Sequence, residues 1–116
     1  MQVVYRVQGK DGHGPYWECP ETPEYRRMTE DHNWISKEVH PAPRNDGLEL
    51  FMDHDYNRKK DRFGFASLDQ LHAWFTNEEL AMMANYGYTI HEVVGEVVAV
   101  GEHQIVFREL EHVGAL

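Results

Sequence analysis

Arg6 is a charge set inside an apolar run, QVVYRVQ, and a charge in that setting needs a partner. Two readings stay open for it. It snorkels to a carboxylate at the rim, or its planar fork serves a cleft that takes a phosphate or carboxylate. A second group of cations, Arg58, Lys59, Lys60 and Arg62, lies further along the chain. It is either a solvated loop leading into a strand or a patch that meets a nucleotide phosphate or an acidic partner. Asp53, His54 and Asp55 carry metal-ligand atoms. Adjacent residues of a strand point to opposite faces, so few of them can converge on one ion. The eight His are scattered without an HExxH or paired spacing, and no metal site is expected. Cys19 is the single cysteine, which excludes an internal disulfide and a multi-cysteine metal cluster. An inert thiol is the plain reading of it and a nucleophile the other. Ser67, Glu102 and Gln104 supply a hydroxyl, a carboxylate and an amide. The Gly-rich stretch 9–16, GKDGHGPY, matches no phosphate-loop spacing and reads as a turn or mobile flap.

The totals bound what these groups can serve. A chain of 116 residues is one domain, 1–116, and buries roughly 65% of the surface it exposes when unfolded. Its net charge is −9, from 20 acidic and 11 basic residues. Such a chain repels phosphate backbones, so no direct nucleic-acid binding is expected. The same balance suits docking on a basic surface. No apolar run approaches the ~20 residues of a membrane span and the first residues lack a signal-peptide pattern, so the expectation is a cytoplasmic protein with no membrane partner.

The elements that must position these groups are read from period and caps. Residues 2–8 alternate as a strand with two apolar faces, which predicts a central one. Residues 9–47 form a long ordered loop with a short helix near 23–29. Trp17, Tyr25, Trp34 and Ile35 mark it as packed. Residues 48–56, LELFMDHDY, read as a short strand and a charged loop. Ser67 with Gln70 and Thr76 with Glu79 are two capping boxes, and they predict helices over 68–75 and 77–86. Gly87 ends the second. Residues 88–100 and 105–110 make a hairpin, with Gly95 as a bulge or break. The class is α+β: a mostly antiparallel sheet of about five strands, with the helical pair on one face.

Three pieces then stand in a particular order: Tyr5-Arg6 on an early strand, Phe65-Ala66-Ser67 where a strand enters a helix, and Glu102-His103-Gln104 opening a late strand. This order resembles the ADP-ribosyltransferase-like fold of the Arg–Ser–Glu type. The resemblance implies that Arg6, with Tyr5 beside it, and Ser67 would hold NAD. It implies that Glu102 or Gln104 would stand where the catalytic carboxylate stabilises an oxocarbenium-like state. Gln104 cannot supply that charge. The departure argues for a pocket that binds without turnover, unless the register is shifted by two and Glu102 is the working group.

The whole chain also resembles the small acidic proteins that phages and prophages carry, many of which bind and block a host factor. The leading expectation is a non-catalytic inhibitor that docks on a host protein with a basic surface. Trp17, Tyr25, Trp34 and Tyr56 are its contact candidates, because aromatics dominate interface energetics. The alternative is an active NAD-dependent mono-ADP-ribosyltransferase.

Overall fold

A computed structural model describes residues 1–116. Strand β1 spans Gln2–Gln8 and is followed by helix α1, Pro23–Glu30. A single π-helical turn, Asp31–Ile35, and a 3-10 turn, Pro43–Asn45, lead to helix α2, Glu49–His54. Strand β2 is Asp61–Gly64, helix α3 is Leu68–Trp74 and helix α4 is Asn77–Ala84. The long strands β3, Thr89–Val100, and β4, Ile105–Ala115, close the chain. The class is α+β, with one antiparallel sheet in the order β1-β3-β4-β2.

The sheet has four strands where about five were expected. The missing one is 48–56, which forms α2. Leu48 is buried and Leu50 is 75% exposed, so the period of two fails there. Phe51 lies one helical turn on from Leu48 and packs edge-on against Tyr56, with ring centroids 6.4 Å apart. Strand β1 also differs from expectation. It lies at the end of the hydrogen-bonded order, and only from Val4 onward is it largely buried. The sheet curls until Tyr5 and Phe65 exchange backbone bonds of 2.9 and 2.7 Å, which joins β1 to the chain just beyond β2.

That curl makes two cores. Val4, Val93, Ile105 and Phe107 fill the inside of the curved sheet. Val7 and Phe65 meet Tyr25, Met28, Leu71, Trp74, Phe75 and Met83 on the helical side. Gly64 permits the close approach: a Cβ there would sit 2.9 Å from Phe107 and 3.0 Å from the Tyr5 carbonyl. Gly95 falls at a register shift between β3 and β4, the bulge its position in the strand suggested.

The two helices are shorter than 68–75 and 77–86, though the caps stand where the sequence put them. Phe75 already has extended backbone, φ −113° and ψ 132°, and its ring turns into the core. Thr76 and Glu79 form the complete capping box, with bonds of 3.1 and 2.9 Å. At Ser67 only half of one forms. Its hydroxyl accepts from the Gln70 amide at 3.1 Å, while the Gln70 side chain reaches the Ala66 amide at 2.8 Å. Gly87 takes the left-handed turn, φ +88°, that ends the α4 segment. The stretch 9–47 is ordered around α1 and the two short turns, and its helix runs Pro23–Glu30.

Candidate functional site

A cleft of about 1250 Å³ opens between β1, β2 and the stretch 13–45. That is somewhat larger than the roughly 300–1,000 Å³ of a typical small-molecule pocket. Its lining has an unusual charge. Five of the chain's 11 Lys and Arg face it, against three of its 20 Asp and Glu. An acidic protein has gathered cations into one concavity.

Arg6 is the deepest of them, 7% exposed. It shares a strand face with Val4, so its side chain runs through the inside of the curl. One terminal nitrogen donates to the Phe63 carbonyl at 2.9 Å and the other to the Gly12 carbonyl at 3.2 Å. Its Nε is buried without a partner. None of the molecule's five ion pairs includes Arg6, Arg58, Lys59 or Arg62. Burial, together with the neighbouring Arg62 charge, pushes the Arg6 guanidinium down to about 10, and Glu109 offsets only part of this. It remains a cation at neutral pH, and its hydrogen bonds go to neutral carbonyls alone.

Another part of the lining is a hydrogen-bonded chain. The Trp74 indole N–H donates to the Tyr16 hydroxyl at 2.9 Å. Tyr16 bonds His32 Nδ1, and His32 Nε2 bonds Glu79 at 2.7 Å. His40 stacks on His32 with ring centroids 3.6 Å apart and bonds the Trp74 carbonyl. With Nε2–H donating to the carboxylate, Nδ1 is free to accept from Tyr16, so the chain runs in one sense. Burial pushes the Tyr16 phenol up, so it stays protonated.

Glu79 therefore has two jobs: it closes the α4 cap and anchors His32. Burial alone would raise its carboxyl, but the bonds from His32 and the Thr76 amide outweigh it and hold the group below the usual range. A depressed acid pKa means stability that is present above the unfolded value of about 4.5 and is lost as pH falls through the folded value. Glu79→Ala is expected to cost about 2 kcal/mol at neutral pH, for the lost half of the capping box and an orphaned imidazole N–H. That difference from wild type should shrink below about pH 4.5, as read by urea unfolding at a series of pH values. An equal difference at low and neutral pH would show that the carboxylate is not the source.

At the third side, Asp46 is wholly buried and accepts from His103 three times. The backbone N–H reaches both carboxylate oxygens at 3.1 and 3.0 Å, and Nδ1 reaches one at 2.7 Å. Asp46, Glu102 and His103 come within metal-ligand reach of one another, as do Asp31, His32 and His40. These contacts already occupy the Asp46 carboxylate, His103 Nδ1 and both ring nitrogens of His32 and His40, so the groups read as structural bonds. Asp53, His54 and Asp55 form no such group. They end α2, and Asp53 pairs with Arg44.

Arg6, Glu102, Gln104, Trp17 and Tyr56 all line the cleft. Ser67 does not, because its hydroxyl is spent on the α3 cap. Gln104 is buried at 6% exposure, and its amide N–H donates to the Pro41 carbonyl at 3.1 Å, tying the late hairpin to the 41–46 segment. The Tyr5 backbone bridges to Phe65, and its side chain packs on the helical core. Tyr25, expected as a contact residue, is fully buried and donates to the Pro15 carbonyl. It is a core residue, because the loop folds back over α1. Trp34 is 76% exposed and outside the cleft. Cys19 is half-buried and donates to the Pro15 carbonyl at 3.5 Å, and burial pushes its thiol up, as suits an inert one.

Sequence reasoning missed Tyr16, His32, His40 and Asp46. The cap at Thr76 flagged Glu79, but nothing local shows that its second oxygen meets a histidine 47 positions away. No helix is long and apolar enough to cross a membrane. A family model described as Bacteriophage T4 Y00F protein matches residues 1–113. Neither a curated protein nor a solved structure matches the chain.

Proposed function

Because the chain belongs to the Bacteriophage T4 Y00F protein family, we propose that it is a phage binding protein without catalytic turnover, acting in the host cytoplasm on a host protein with a basic surface. The carrying observation is how its charge is sorted. With five cations drawn into the cleft, the rest of the chain holds 17 acidic groups against six basic ones. That field steers a cationic surface toward the exterior, and opposite charge raises the rate of encounter.

The anchor of the contact is Trp34 with Ile35, 76% and 78% exposed on the π-helical turn. A pair of large apolar side chains held out by a short, unusual helical turn, with Glu30, Asp31 and Glu38 against the single Lys37 around it, has the composition of an interface centre with a net acidic rim. The test is retention of a host protein on the immobilised chain. Retention should fall as salt rises. Trp34→Ala should weaken it about tenfold or more while leaving thermal stability unchanged. A partner held equally by wild type and Trp34→Ala at every salt concentration would remove this surface from the account.

One observation favours a second reading, an NAD-using ADP-ribosyltransferase: Arg6, Glu102 and Gln104 line a single cleft. The placing of Ser67 weighs against it, as does the commitment of the Gln104 amide to Pro41. That reading requires release of nicotinamide from NAD, which the binding reading does not.

A further inference from the structure

We propose that the cleft is a binding site for a small phosphate-bearing nucleotide, whose phosphates lie along Arg6, Arg58, Lys59 and Arg62 and whose base lies on an aromatic ring of the same groove. This goes beyond the docking of a host protein and does not depend on it. The first support is the state of Arg6. A guanidinium this deeply buried is ordinarily matched by a carboxylate. Here it is matched by two carbonyls, and Arg62 lies near enough to weigh against its charge. Two like charges brought together, one of them buried, outweigh the Glu109 carboxylate beside them and leave room for a further anion.

The second support is the company Arg6 keeps. Arg58 and Lys59 precede β2 and Arg62 lies within it, and β2 is the strand whose Phe63 carbonyl Arg6 grips. The cation cluster and Arg6 are more than fifty positions apart in sequence and line the same cleft. Asp61, the acid nearest in sequence, is taken by Arg108 at 2.9 Å and does not neutralise them. The third support is the aromatic lining. Trp17 is 61% exposed, stacked on His13 with rings 4.9 Å apart and 9° from parallel. Tyr56 and Phe63 sit beside the cations. Cations with flat rings are what a phosphate joined to a base requires.

The ligand is small and not a polymer. A polynucleotide must also pass the acidic exterior, where its phosphates meet repulsion. A mononucleotide needs only the cleft.

The test is thermal unfolding and calorimetric titration at low salt with ATP, NAD, inorganic pyrophosphate and single-stranded oligonucleotides of rising length. ATP or NAD should raise the unfolding midpoint in proportion to the logarithm of its concentration, and pyrophosphate should do so more weakly. The double variant R58Q/K59Q removes two exposed charges that make no ion pair, so it should fold as wild type and bind about tenfold or more weakly. Trp17→Ala should weaken ATP and leave pyrophosphate unchanged. No shift with any probe, or equal binding by wild type and R58Q/K59Q, would overturn the site. Equal response to pyrophosphate and ATP would overturn the nucleotide, and affinity that climbs with oligonucleotide length would overturn the small ligand.

Discussion

Asp46→Ala is expected to lower the unfolding free energy by about 3 kcal/mol or more, the scale for removing one side of a buried hydrogen-bonded pair. The carboxylate accepts the backbone and ring N–H groups of His103, and the Asp46 carbonyl accepts the Glu102 amide at 3.1 Å. These bonds tie the β3–β4 turn to a segment 57 residues earlier. Gly101 is part of the same clamp, since a Cβ there would lie 2.5 Å from the Asp46 carboxylate and 2.7 Å from its carbonyl. Gly101→Ala should therefore destabilise without removing any polar group. Asp46→Asn keeps the shape and one acceptor and should cost about half as much as Ala. Denaturant unfolding reads all three as a lower midpoint at unchanged slope. A loss under about 1 kcal/mol for Asp46→Ala would mean that the turn holds itself. The turn places Glu102 and Gln104 on the cleft, so its loosening should also weaken ligand binding.

Tyr25→Ala should cost about 3–5 kcal/mol, the range for deleting a buried aromatic. Its ring is at 0% exposure and meets Tyr86 edge-on at 5.5 Å. Tyr25→Phe keeps the ring and loses only the bond to the Pro15 carbonyl, a cost of about 1 kcal/mol. Trp17→Ala and Trp34→Ala serve as contrasts: both rings are largely exposed, so each should fall within about 0.5 kcal/mol of wild type. Thermal melts of the four variants separate core from contact aromatics. A neutral Tyr25→Ala would place that ring on the surface after all.

Composition alone could not make this division. Trp17, Tyr25 and Trp34 sit in one irregular stretch with no period to tell inward from outward. Tyr25 turns inward because α1 presents Tyr25 and Met28, one turn apart, to the helical core. Trp34 is carried outward on the π-helical turn that follows. The failed strand at 48–56 has a similar cause: Leu48-Glu49-Leu50 alternates over only three residues, which fit a helical turn as well as a strand, and in the helix Phe51 packs against Tyr56.

What the sequence determined by itself is local. The caps at Ser67 and Thr76, the stop at Gly87 and the α1 start at Pro23 depend on bonds between residues a few positions apart, and the closing hairpin starts from the short connection between Val100 and Ile105. The cleft is different in kind. Arg6 and Arg62, His32 and Glu79, and Asp46 and His103 meet only because the sheet curls until Tyr5 reaches Phe65 and the 9–47 stretch wraps over it. A cation written into an apolar strand is legible as a group in need of a partner. Which partner it finds depends on chain closure over more than fifty residues, and no local propensity encodes that.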